Sequence, residues 1–103
     1  MHKIVCVTAC PTGIAHTYMA AESLVKAGKS LGVHMIVETN GAIGVENKLK
    51  EVDIKSSVGV IIASDISIDK IRFKDKIIIE TTTSEAIKDS KKLINQLLDQ
   101  VKG

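Results

Sequence analysis

The chemistry-bearing residues gather in one short stretch, residues 9–17 (ACPTGIAHT). Cys10 is followed by the chain's only proline, Pro11, and then by Thr12, Gly13, Ile14, Ala15, His16 and Thr17. A thiolate is a capable nucleophile, and it is favoured where backbone N–H groups and a helix N-terminus converge. Pro11 fixes φ near −65° at the entry to the turn and brings no donor of its own. Gly13 lets the backbone bend tightly around an oxyanion. Thr12, His16 and Thr17 offer side-chain donors. If a helix starts here, its free N–H groups and its dipole form an anion cradle. A thiolate at the mouth of such a cradle can accept a phosphoryl group. It can also release it, because a thiolate leaves readily. The chemistry expected of this loop is therefore a phosphoryl relay.

The other reactive side chains are expected to play quieter parts. Cys6 lies mid-strand between Val5 and Val7 and reads as a small buried hydrophobe. A Cys6–Cys10 disulfide is excluded, because four extended residues separate the Cα atoms by about 13 Å, against a tolerance of ~7 Å. Two thiols indicate a reducing compartment, the cytoplasm. His16 has three readings: a phosphate ligand, a proton-transfer group, or an ordinary first-turn residue. His34 reads as structural, His2 as a solvated terminus and Tyr18 as core. Asp65, after an apolar run, is expected to cap a helix, with a place at the rim of the site as the alternative.

Which elements would position this loop? Residues 3–8 (KIVCVT) form an apolar, β-branched run that reads as a buried strand. Helical spacing runs from Ile14 to Leu31, with Tyr18, Ala21, Leu24, Val25, Gly28 and Leu31 on the apolar side and Gly32 as the stop. Residues 33–39 (VHMIVET) read as a second strand, followed by a loop over 40–51 and a weak helical segment near 53–57. Residues 58–64 (VGVIIAS) are apolar throughout, as befits a central strand. One or two helical turns follow over 65–73. Residues 76–81 read as a fourth strand, and Thr82-x-x-Glu85 fits a capping box. Ala86, Ile87, Ser90, Leu93, Ile94, Leu97, Leu98 and Val101 mark one face of a last helix. The alternation predicts an α/β fold: a four-stranded parallel sheet with helices on both faces, a Rossmann-like three-layer sandwich in one domain spanning 1–103. Chemistry in such sheets lies outside the carboxyl ends of the strands. That places Asn40, Gly41 and Asp65 on the same rim as the cysteine loop.

Composition removes several classes of function. The chain has 103 residues, 45% hydrophobic and 25% charged, a length that buries roughly 65% of the unfolded surface without staples. A net charge of +2 and two aromatics, Tyr18 and Phe73, suit neither an electrostatic nucleic-acid binder nor a stacking platform for single strands. No apolar run reaches the ~18 residues of a membrane span. Histidines and cysteines lack metal-ligand spacing, and no glycine motif for nucleotides occurs, so neither metal nor cofactor is expected. A phosphatase loop needs Cys-x5-Arg, but the sixth residue after Cys10 is His16, and Arg72 is the only arginine. Without that bidentate clamp, hydrolysis is poorly stabilised. Cys-x3-Cys is the wrong spacing for a Cys-x-x-Cys redox pair. A response-regulator reading would need acidic metal ligands where Thr8, Ala9 and Cys10 stand.

The run Cys10-Pro11-Thr12-Gly13-Ile14-Ala15-His16-Thr17 resembles the active-site loop of the IIB component of the fructose-type phosphoenolpyruvate-dependent sugar phosphotransferase system. The likeness extends to Ile4 through Thr8, to Tyr18 through Leu24, to Glu38-Thr39-Asn40-Gly41-Ala42-Ile43-Gly44-Val45-Glu46-Asn47, and to Ala63-Ser64-Asp65-Ile66. It implies that Cys10 is the phosphocysteine, surrounded by Thr12, Gly13, Ile14, Ala15, His16 and Thr17. It implies a donor, a IIA domain or subunit phosphorylated on histidine, and an acceptor, a sugar such as fructose bound to the membrane IIC permease. The protein would be a protein-phosphocysteine–sugar phosphotransferase, monomeric and cytoplasmic, touching the membrane only through IIC. Many fructose-type IIB domains are fused to IIC. This sequence carries no such part, and a free-standing subunit is the expectation.

Overall fold

The computed structural model describes residues 2–10, 14–41 and 44–102. The chain runs β1 (Lys3–Ala9), α1 (Ile14–Leu31), β2 (His34–Gly41), β3 (Gly44–Glu46), α2 (Glu51–Ser56), β4 (Gly59–Ser64), a 3₁₀ turn (Ile71–Phe73), β5 (Ile78–Thr81) and α3 (Thr83–Lys102). The sheet order is β3-β2-β1-β4-β5. β1 pairs in parallel with β2 and β4, and β4 with β5. β3 returns antiparallel along the end of β2, with Thr39, Asn40 and Gly41 opposite Glu46, Val45 and Gly44.

The α/β class and the four parallel strands stand as expected, and the count is corrected to five. The additional strand, β3, is three residues long and pairs antiparallel with the end of β2, too short to leave an alternating pattern. The helical turns expected over 65–73 reduce to the single 3₁₀ turn.

Alternation along β1 explains both cores. Ile4 and Cys6 point to the face covered by α1 and α3, where they join Leu24, Ile61, Ile94 and Leu97. Val5 and Val7 point to the other face, with Val60, Ile62, Ile54 and Phe73. A parallel strand buried on both sides needs apolar residues through its middle, and residues 4–7 of β1 and 59–63 of β4 supply them. α1 turns a different stripe inward from the one its larger residues suggested. Thr17, Ala20, Leu24 and Ala27 are buried, while Val25 and Leu31 are exposed. Small residues at 20 and 27 let the helix sit close to the sheet. The helix stops at Gly32, where φ is +72°, a conformation only glycine adopts without strain. α3 buries Ala86, Leu93, Ile94 and Leu97 of its expected face. Its first turn carries half of the capping box, the Glu85 N–H donating to Thr82 Oγ1 at 3.1 Å.

Candidate functional site

Three strand ends meet at the carboxyl edge of the sheet. The register sets Ala9 beside Asn40 on one flank and Ser64 on the other. Cys10 therefore leaves the central strand between the ends of β2 and β4. Its side chain is half-buried and its thiol is free of any disulfide. Pro11, Thr12 and Gly13 of the predicted loop lie outside the described residues. Ile14 is the first residue of the 18-residue α1, so the first-turn N–H groups begin four residues beyond the thiol. Ala15 and His16 are exposed on that turn, whereas Thr17 is fully buried.

Two hydroxyls at this edge are unusual. Thr8 Oγ1 and Thr17 Oγ1 are completely buried, and neither has a hydrogen-bond partner among the described residues. Buried hydroxyls are nearly always paired, because leaving one unpaired costs about 1–3 kcal/mol. One orphan is the penultimate residue of β1 and the other lies in the first turn of α1, on either side of Cys10 in the sequence.

Asp65 completes the edge. Its N–H donates to the Ala9 carbonyl at 3.1 Å, which holds the start of the β4 loop against the residue before Cys10. Its carboxylate accepts from Thr83 Oγ1 at 2.8 Å and from the Thr83 N–H at 3.3 Å. The Thr83 hydroxyl leads in holding this carboxyl below the usual range, against a smaller opposing effect of desolvation. Cys10 and His16 also help to hold it below its ordinary range. Asp65 does cap a helix, but not one directly after it: it serves the first residue of α3, 18 positions further on. The structure thus brings Cys10, His16 and Asp65 together.

Asn40 and Gly41 sit on the opposite flank and are occupied structurally. Asn40 Nδ2 reaches the Thr8 carbonyl at 3.5 Å, and Asn40 also helps to lower the Glu38 carboxyl. Gly41 lies under Tyr18, whose hydroxyl would be 3.1 Å from a Cβ at that position. The same hydroxyl donates to Glu46 Oε1, tying α1 to β3. Tyr18 is therefore a tie between elements and only half-buried, less enclosed than a core assignment requires.

One pair was missed by reading the chain linearly. Glu38 is almost sealed within β2, and Arg72 grips it with two bonds, Nη1 to Oε1 at 2.8 Å and Nη2 to Oε2 at 2.5 Å. The Leu49 N–H adds a third at 2.9 Å. Burial pushes the Glu38 carboxyl up, but Arg72, Leu49 and Asn40 outweigh it and hold it below its ordinary value. The available signal was a lone acid in an apolar strand and a lone arginine in the chain. Arg72 is thus committed to a structural acid and lies over the Phe73 ring.

Among the described residues no group of three or more His, Cys, Asp or Glu could hold a metal ion, and no helix is long and apolar enough to cross a membrane. A concavity of about 830 Å³ lies between α1 and β2, lined by Lys29, His34 and Asp53, away from Cys10. What the carboxyl edge can do is present one thiol at the end of the central strand, with Asp65 held beside the residue before it and α1 starting four residues on.

Residues 5–96 match the family model described as PTS system, Lactose/Cellobiose specific IIB subunit. The chain is 45% identical over 98 residues to the PTS system fructose-like EIIB component 2 of Escherichia coli K12, covering 94% of this chain and 92% of that one. It is 42% identical over 98 residues to the PTS system fructose-specific EIIABC component of Bacillus subtilis. There it covers 95% of this chain but spans only 15% of the longer relative. A crystal structure of a domain from a fructose-specific IIABC component of Borrelia burgdorferi superposes with a TM-score of 0.93 at 43% identity, covering 95% and 94% of the two chains.

Proposed function

Because this chain belongs to the IIB family of the sugar phosphotransferase system, we propose that Cys10 carries a phosphoryl group from a phosphohistidine donor to a sugar during uptake. The donor is a IIA domain or subunit. The acceptor is fructose or a related sugar held by a membrane IIC permease. In the first step Cys10 Sγ attacks phosphorus, the S–P bond forms as the P–N bond of phosphohistidine breaks, and the thiol proton ends on the departing imidazole. In the second, a sugar hydroxyl attacks phosphorus, the S–P bond breaks, and the hydroxyl proton returns to the thiolate. The residues surrounding the phosphoryl oxygens are Thr12, Gly13, Ile14, Ala15, His16 and Thr17, largely through backbone N–H groups.

The observation that carries this reading is the half-buried thiol of Cys10 at the carboxyl end of the central strand, four residues before the start of the 18-residue α1. A hydrolytic reading lacks its clamp, since Arg72 is bound to Glu38. The transfer reading also fits a protein confined to the cytoplasmic side that meets the membrane only through its permease.

The test is reconstitution. Membrane vesicles carrying the permease, a phosphorylated IIA and this chain should phosphorylate fructose. Omitting the chain, or supplying Cys10→Ser, should lower the rate at least ~10³-fold. Undiminished sugar phosphorylation with Cys10→Ser would remove the proposal.

A further inference from the structure

We propose that the outer edge of β2 is a docking site for an extended, acidic segment of a partner protein, which adds to the sheet as a further strand. The inference is independent of the chemistry at Cys10 and starts from the sheet order. β2 has β1 on one side, and on the other side β3 covers only its residues 39–41. Among the described residues, no strand pairs with the outer side of residues 34–38. The His34 N–H donates to the His2 carbonyl, on the β1 side. Backbone polar groups alternate sides along a strand, so those of Met35 and Val37 face outward. Asn47 shows the same direction, since its Nδ2 reaches the Val37 carbonyl at 2.9 Å. The Met35 N–H, the Met35 carbonyl and the Val37 N–H have no hydrogen-bond partner among the described residues.

An unpaired row of donors and acceptors is a template for another strand. Here it forms the floor of the concavity of about 830 Å³ beside α1. One wall is α1, with Val25 and Lys29 exposed, and the other is the stretch before α2, with Lys48 and Lys50 exposed. The walls lie on opposite faces of the sheet. α1 covers the layer that holds Leu24, whereas Leu49, between the two lysines, packs in the layer of Phe73. The acids of the groove are already neutralised, Glu22 by Lys26 at 3.0 Å and Asp53 by Lys3 at 3.3 Å. Lys29, Lys48 and Lys50 have no ion pair among the described residues. A strand entering the groove therefore meets a cation whichever of its faces carries the acids. Charge decides the occupant. A second copy of this chain would bring the same cations to the same edge and be repelled, whereas an acidic strand is attracted. Lysines beside an open edge also deter indiscriminate pairing, which restricts the site to partners that neutralise them.

The probe is a short blocked peptide of alternating glutamate and valine, with lysine replacing glutamate in the control peptide. Amide hydrogen exchange in the full chain is followed residue by residue by NMR. With the glutamate peptide, exchange at Met35 and Val37 should slow at least ~tenfold. Exchange at Ile36, which faces β1 opposite Val5, should not change. The slowing should fade as salt rises, and the lysine peptide should produce none. Lys29→Glu combined with Lys48→Glu and Lys50→Glu should weaken binding of the glutamate peptide at least ~tenfold. Unchanged exchange at Ile36 in that variant shows that it is folded. No slowing at Met35 and Val37 with millimolar glutamate peptide, or equal slowing by both peptides, overturns the proposal. So does slowing that persists undiminished in the triple variant. Binding to phosphatidylglycerol vesicles in place of the peptide would make the patch a lipid surface and overturn it as well.

Discussion

Cys6 and Cys10 are four residues apart, one within β1 and the other just past its end, yet they occupy opposite chemical worlds. Cys6 points into the layer beneath α1 and α3, is fully buried, and has its thiol pushed well up by desolvation, against a smaller lowering by the Ile61 backbone. Cys10 stands where the strand has ended, half-buried, beside Asp65 and the start of α1. Mid-strand, the backbone polar groups are spent on sheet pairing and the side chain meets only apolar neighbours. At the carboxyl edge, pairing stops and free N–H groups of a helix begin. The same residue type is inert packing in the first place and a candidate nucleophile in the second, and the fold makes the difference.

The sharpest way to break this comparison is alkylation. In the native protein iodoacetamide should modify Cys10 at least ~10³-fold faster than Cys6, because Cys6 reacts only through opening of a core that costs several kcal/mol. In denaturant the two rates should converge. Peptide mass spectrometry checks both, and comparable native rates would erase the distinction.

A smaller effect concerns the flank of the edge. Arg72→Ala leaves Glu38 buried without its main counter-charge and should destabilise the fold by about 1–3 kcal/mol at pH 7. Because folding lowers the Glu38 carboxyl, its contribution is present above the unfolded value of ~4.3 and is lost as pH falls through the folded value. The gap between wild type and Arg72→Ala should therefore shrink below about pH 4. Chemical denaturation at a series of pH values measures it, and a gap that is flat or widens on acidification would contradict the assignment.

The two cysteines should also part company in stability. Cys6→Ser buries a hydroxyl among apolar side chains and should cost ~1–3 kcal/mol. Cys10→Ser, at a half-open position, should cost less than ~0.5 kcal/mol. Urea melts of the two variants decide between them, and equal losses would mean that the edge is as tightly packed as the core.

Much of this arrangement was legible along the chain, for identifiable reasons. β1 and β4 are dominated by apolar residues, α3 has a full amphipathic stripe, and Gly32 stops α1 where its φ demands glycine. The loop from Cys10 onward is local, so its chemistry could be read without coordinates. What escaped depends on contacts distant in sequence. β3 exists only because residues 44–46 fold back on β2. The inward face of α1 was misjudged because Val25 and Leu31 are large but exposed, while the buried stripe uses Ala20 and Ala27. Asp65 was placed on the rim, but its tie to Thr83 requires α3 to land beside the end of β4. Arg72 and Glu38 are 34 positions apart, and no local pattern joins them.

The central claim, that one cysteine of the two carries the phosphoryl group, is tested most directly by locating the label. The chain is incubated with phosphoenolpyruvate and the upstream phosphotransferase components, digested, and sequenced by mass spectrometry. The account predicts a single phosphoryl group on the peptide at Cys10, none at Cys6, and none on Cys10→Ser. Label on Asp65 or on a histidine, or full labelling of Cys10→Ser, would contradict it.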